Sequence, residues 1–168
     1  VHGLDLTIPQ GMSFGLLGPN GAGKSTTLKM LMGLIRPDSG TLSILGMDVL
    51  TDPEAVRQRV GYVPEYQRMY PWMTVAELLW FVRSFYPTWN DALCAELIRD
   101  YGLSGAKRVR ELSNGMQTKL ALVLALSHQP PLLVLDEPTG GLDPLVREEF
   151  LDKVRGLVRL GGRTVLFS

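Results

Sequence analysis

The sequence has one cysteine, Cys94, and two histidines, and its 17 Lys and Arg are matched by 17 Asp and Glu for a formal net charge of zero. A lone cysteine excludes an intramolecular disulfide framework and fits a reducing compartment. With no second Cys or His at metal-ligand spacing, Cys94 reads as a small buried hydrophobe. Charge balance gives no general electrostatic footprint for nucleic acid, and no nucleic-acid partner is expected. The longest apolar stretches, such as Leu120 to Leu126, fall far short of the roughly 20 residues that a membrane-spanning helix needs. No basic-then-apolar leader opens the chain, so nothing marks it for secretion. The expectation is a soluble, intracellular protein.

What is present is ordinary globular composition. Of 168 residues, 45% are hydrophobic and 20% charged, enough for a single domain that buries roughly 70% of its unfolded surface. Short apolar runs alternate with helical patterns, which is the mark of an α/β protein. Strands are predicted over Met12 to Leu17, Thr41 to Leu45, Val60 to Val63, Leu132 to Leu135 and Arg163 to Ser168. Helices are predicted over Ser25 to Leu34, Pro53 to Arg59, Asp91 to Tyr101, Gly115 to His128 and Pro144 to about Leu160. Another should start at Thr74-Val-Ala-Glu77, which has capping-box spacing. The organisation is an α/β core, residues 1–64 and 130–168, with a mostly helical insertion over residues 65–129.

Gly18-Pro19-Asn20-Gly21-Ala22-Gly23-Lys24-Ser25 fits G-x-x-x-x-G-K-[ST] between a strand and a helix. Glycines let successive N–H groups point at phosphate oxygens, and the helix N-terminus aims its positive dipole end at the same anion. Lys24 is suited to the β- and γ-phosphates and the Ser25 hydroxyl to Mg²⁺. Gly18 to Thr26 is therefore predicted to bind the phosphates of a nucleoside triphosphate.

Asp136 and Glu137 follow an uninterrupted apolar strand, so they emerge at its C-terminal end, where α/β folds place ligands. Asp136 is expected to hold Mg²⁺ and Glu137 to polarise an attacking water. Asp-Glu-Pro-Thr cannot continue a regular strand, which supports a turn at this point.

Leu112-Ser113-Asn114-Gly115-Met116-Gln117 directly precedes the apolar helix. With this segment in place the chain resembles the ATP-binding subunits of ABC transporters. Five motifs stand in the family's order: Gly18 to Ser25, Gly61-Tyr-Val-Pro-Glu65, the Ser113 signature, Leu132 to Glu137, and Gly140-Gly-Leu-Asp143-Pro144. Phe85-Tyr-Pro-Thr-Trp89 and the Leu-Ser-x-Gly-Met form look most like export-type subunits that serve ABC-2 permeases.

The resemblance implies a P-loop NTPase fold that binds ATP and Mg²⁺ and couples hydrolysis to transport by an integral-membrane permease. It implies a second ATP-binding domain that closes over the nucleotide, with Ser113, Asn114 and Gly115 facing the other subunit's γ-phosphate and Asp143 linking the two sites. Lys24, Glu65 and Glu137 would carry catalysis, and Ser25, Asp136 and Glu65 the metal. Location would be cytoplasmic, at the inner face of the membrane through the permease. Glu65 stands where many relatives carry glutamine, Asn114 replaces a signature glycine and Met116 the usual glutamine. The family's switch histidine and adenine-stacking aromatic are not assignable by position, so the chain is expected to be cut at both ends, with hydrolysis weak or lost. Rival readings are a soluble ABC ATPase acting on ribosomes or DNA and a non-hydrolysing nucleotide-binding fragment.

Nine of the 13 aromatics fall between Tyr62 and Trp89. Phe81 and Phe85 share a helical face with Leu78, which predicts core packing. Tyr66, Tyr70 and Trp72 lie in a loop, suited either to a groove for a permease segment or to packing within the helical region. His128 is expected to complement a helix C-terminus, His2 to lie at the surface, and Lys107, Arg108 and Arg110 to form a solvated loop.

Overall fold

The computed structural model describes residues 1, 3–138, 148, 156 and 162–168. All of the predicted 144–160 helix except residues 148 and 156, the 140–144 motif with Asp143, and His2 lie outside the described residues. Four strands form a parallel sheet in the order β1-β6-β5-β4: β1 Ser13–Gly15, β4 Val60–Val63, β5 Leu132–Leu135 and β6 Thr164–Phe167. Parallel strands need crossovers, and helices supply them on both faces. Helix α1 (Lys24–Leu31) follows β1, α2 (Pro53–Gln58) precedes β4, and α3 (Val75–Arg83), α4 (Asp91–Asp100) and α5 (Asn114–Leu126) lie between β4 and β5.

Side-chain alternation divides the core in two. Leu132, Val134, Val60 and Leu166 face Leu28, Met32 and Val56 of the α1–α2 layer. Leu133, Leu135, Val63 and Val165 face Leu120, Leu122, Val123 and Leu126 of α5, and that cluster continues into Val75, Leu78 and Leu97 of α3 and α4. All four residues of β5 are buried, which is why this run is apolar without alternation. Helix α5 comes so close to β4 that a Cβ on Gly61 would press into the Ala125 carbonyl. Glycine is what permits that approach.

Side-chain caps start four of the described helices, one of them the capping box that the sequence predicts. Thr74 and Glu77 exchange the two bonds of a capping box, at 3.2 and 2.8 Å, and Asp52, Asn90 and Ser113 cap α2, α4 and α5.

Three expectations are corrected. The predicted 41–45 strand is only Ser43–Ile44, and it turns back through Leu45-Gly46 to pair antiparallel with Met47–Asp48, here β2 and β3. Phe85 does not join the core. Helix α3 stops at Arg83, and Phe85 lies beyond its end, 55% exposed, edge-on to half-buried Phe81 with ring centroids 5.1 Å apart. Tyr70 and Trp72 extend this row of rings, and Tyr66 and Trp72 are also exposed. His128 does not act as a cation at a helix end. It is buried and stacked on Tyr86, centroids 4.0 Å apart. Burial, reinforced by the Arg163 charge and opposed by a hydrogen bond to the Gln58 backbone, lowers its pKa to about 4.

The sign follows from linkage. The unfolded chain takes up a proton at this histidine near pH 6.5 and the folded protein only near pH 4, so stability falls with pH through that window. The loss is expected to be on the order of 3 kcal/mol at its limit. Thermal melts from pH 7 to pH 4 check this: the decline in Tm should be clearly shallower in His128→Phe than in the unsubstituted protein.

Candidate functional site

At the C-terminal ends of the parallel strands, the loop after β1 and the turn after β5 meet. The 18–23 loop folds on itself, with the Ala22 N–H donating to the Pro19 carbonyl at 3.1 Å. It enters α1 through Gly23, whose φ of 92° suits only glycine. Unlike α2 to α5, α1 carries no side-chain cap. Its first N–H groups and dipole end are thus left for an anion. Thr27 is turned inward instead, its hydroxyl donating to the Gly23 carbonyl at 2.9 Å. Asn20, Gly21, Ala22 and Thr26 are exposed around the rim.

Lys24 bends back over the loop. Its ammonium donates to the carbonyls of Gly18 at 3.0 Å and Pro19 at 3.3 Å, and lies 3.5 Å from Glu137 Oε1. The Ser25 hydroxyl donates to Asp136 Oδ1 at 2.7 Å, joining residues 111 apart in sequence. Asp136 is only 1% exposed. A buried carboxylate requires donors, and it has a second one in the Ser168 hydroxyl, 3.0 Å from the same oxygen. The Asp136 N–H continues the sheet to the Val63 carbonyl, whereas the next residue leaves it: the Glu137 N–H donates to Ser168 Oγ at 3.1 Å. Glu137 sits at φ 43°, a left-handed conformation unfavourable for a residue with a Cβ and typical of functional turns.

Tyr62 supports the site from β4. Burial first, then the nearby charge of Asp136, pushes its pKa up to about 12, and the hydroxyl makes no well-formed hydrogen bond among the described residues. Glu65 follows β4, half-buried; its carboxylate lies beside the exposed Tyr66 hydroxyl and raises that phenol's pKa. Ser113, Asn114 and Gly115 are at the start of α5, and Ser113 Oγ accepts the Met116 N–H at 3.3 Å. The described contacts thus bring Lys24, Ser25, Asp136 and Glu137 together. Glu65 enters through the charge it shares with Asp136 around Tyr62, and the α5 residues share no described contact with the loop. Ser168 and Tyr62 were not singled out by the sequence.

The donor set fits Mg²⁺. No group of three or more His, Cys, Asp and Glu side chains forms a metal cage among the described residues, and Mg²⁺ does not require one. Such an ion is usually bound by one or two protein oxygens with phosphate oxygens completing the shell, and the Ser25 hydroxyl and the Asp136 carboxylate would supply those protein oxygens here.

The family model for ABC transporters matches residues 1–140. The chain belongs to the ABC transporter family. Its described sheet and loop are those of the family's nucleotide-binding domain. Among curated proteins this ABC domain is 45% identical over 173 residues to the Nod factor export ATP-binding protein I of Burkholderia orbicola, an alignment covering all of this chain and 57% of that protein. It is 43% identical to the daunorubicin/doxorubicin resistance ATP-binding protein DrrA of Streptomyces peucetius, covering all of this chain and 52% of that one. The chain thus spans little more than half the length of these relatives. Among solved structures, the ATP-binding subunit of an ABC transporter superposes with a TM-score of 0.82 at 33% identity, covering 95% of this chain and 68% of that one.

The turn after β5 carries backbone strain that glycine would relieve. Glu137→Gly should therefore be more stable than Glu137→Ala by about 1 kcal/mol, since both lose the carboxylate and only glycine tolerates φ 43°. Chemical denaturation of the two variants measures the difference.

Proposed function

We propose that this chain is the ATP-binding and ATP-hydrolysing part of an export-type ABC transporter. The observation that carries this reading is the convergence of Lys24, Ser25, Asp136 and Glu137 at one sheet end, with contacts of 2.7 and 3.5 Å. The N–H groups from Gly18 to Thr26 and the α1 dipole bind the phosphates, and Lys24 exchanges its carbonyl and Glu137 contacts for phosphate oxygens. Ser25 and Asp136, with Glu65 nearby, would hold Mg²⁺, which when bound would neutralise charge on the transferred phosphoryl group. Glu137 orients the attacking water and accepts its proton.

Ser113, Asn114 and Gly115 act on the nucleotide of a second ATP-binding domain, where the N-terminus of α5 offers donors to its γ-phosphate. Asp143 joins the two sites. A membrane permease is the coupled partner, contacted through the 65–89 region and its exposed Tyr66, Tyr70 and Trp72, and the domain works at the cytoplasmic face of the membrane. No helix among the described residues is long and apolar enough to cross a membrane. The export and resistance roles in the names of the two relatives support the outward direction.

Glu137→Gln should leave ATP affinity within a few-fold of the unsubstituted protein and cut turnover roughly 10²–10⁴-fold. Equilibrium ATP binding and phosphate release measure the two quantities, and unchanged turnover would remove Glu137 from the role of base.

A further inference from the structure

We infer that Ser168 is a positioning residue for both carboxylates of the site, and that it sets the Mg²⁺ requirement of nucleotide binding. The inference deepens the proposed function and rests on it.

The placement comes from strand register. Leu135 pairs with Phe167 in the parallel β5–β6 ladder, and the Ser168 N–H donates to the Leu135 carbonyl at 3.1 Å. Ser168 is therefore held beside Asp136, at the point where β5 gives way to the strained turn. Its hydroxyl then uses its donor and its acceptor on successive residues. It donates to Asp136 Oδ1 at 3.0 Å and accepts the Glu137 N–H at 3.1 Å.

The two bonds have different consequences. Asp136 Oδ1 accepts from both Ser25 and Ser168. Ser25 is the group proposed to share its oxygen with the metal, while Ser168 directly follows β6 and its hydrogen bonds go to Leu135, Asp136 and Glu137 rather than to the phosphate loop. Ser168 thus fixes the orientation of a buried carboxylate from the rigid sheet, independently of the loop. The second bond fixes the main chain of Glu137 at φ 43°, the conformation from which its side chain reaches Lys24. A single hydroxyl consequently sets the relation between the metal-binding carboxylate and the water-orienting one. Alanine here leaves the Glu137 N–H without its partner and lets the Asp136 carboxylate turn. Threonine retains both bonds.

The test compares the unsubstituted protein with Ser168→Ala and Ser168→Thr, using a fluorescent ATP analogue titrated in EDTA and then across a Mg²⁺ series. In Ser168→Ala the affinity in EDTA should stay within about twofold, while the Mg²⁺ concentration for half-maximal enhancement of binding should rise roughly tenfold, the loss expected for one hydrogen bond to a charged group. Ser168→Thr should restore the Mg²⁺ midpoint. In nucleotide-free protein, hydrogen exchange at the Glu137 amide should accelerate in the alanine variant alone. An unchanged Mg²⁺ midpoint in Ser168→Ala, an equal loss of affinity in EDTA, or no rescue by threonine overturns the inference. Absence of ATP binding in the unsubstituted protein overturns the proposed function and the Mg²⁺ role with it. The exchange measurement still decides whether Ser168 fixes the Glu137 main chain.

Discussion

The site depends on one short contact, the 2.7 Å hydrogen bond from the Ser25 hydroxyl to Asp136. It joins the first turn of α1 to the end of the central strand, and those elements come from opposite ends of the chain. A glycine-rich loop alone is a flexible anion cradle, and a carboxylate at a strand end alone is an acid in search of a partner. Linked, they form a site in which the groups proposed to bind cation and phosphate are set at a fixed relation before any ligand arrives. Such preorganisation is where binding and catalysis gain most.

The sheet makes this contact possible by being buried on both faces. Strand β5 is covered by the α1–α2 layer on one side and by α5 on the other, so the position of Asp136 is set by packing from two directions. Gly61 extends the same logic to β4, because its missing side chain lets α5 lie against the strand that leads to Glu65. Strain is then confined to the turn itself. Glu137 occupies a left-handed conformation, and Lys24 balances its carboxylate in the nucleotide-free protein. Local instability of this kind is tolerated when the surrounding core fixes it, and it concentrates at functional turns.

Much of the fold was legible where the local code and the tertiary structure agree. Val60–Val63 and Leu132–Leu135 are strands over the very residues their apolar runs mark, and the Thr74 capping box starts its helix. The loop leading into α1 was legible because its glycines mark the turn from which the helix starts. The β2–β3 hairpin was not, because its turn residues are Leu45 and Gly46, both at positive φ. Leucine is a poor candidate for that conformation, so no turn signal was visible. Phe85 was misread because helical spacing was carried past the end of α3. His128 was misread because its partner, Tyr86, lies 42 residues earlier and only folding brings the rings together. Ser168 escaped notice for the same reason: its role is created by the parallel register with β5, and a serine after a strand has no distinctive local pattern.

The most direct test of the central claim is a double-mutant cycle between Ser25 and Asp136, read as unfolding free energy in the absence of nucleotide. If the contact binds loop to sheet in advance, Ser25→Ala and Asp136→Ala should show a coupling of about 1–3 kcal/mol. Effects that add to within about 0.5 kcal/mol would mean the two elements are energetically independent, and the account of a preformed site would be contradicted.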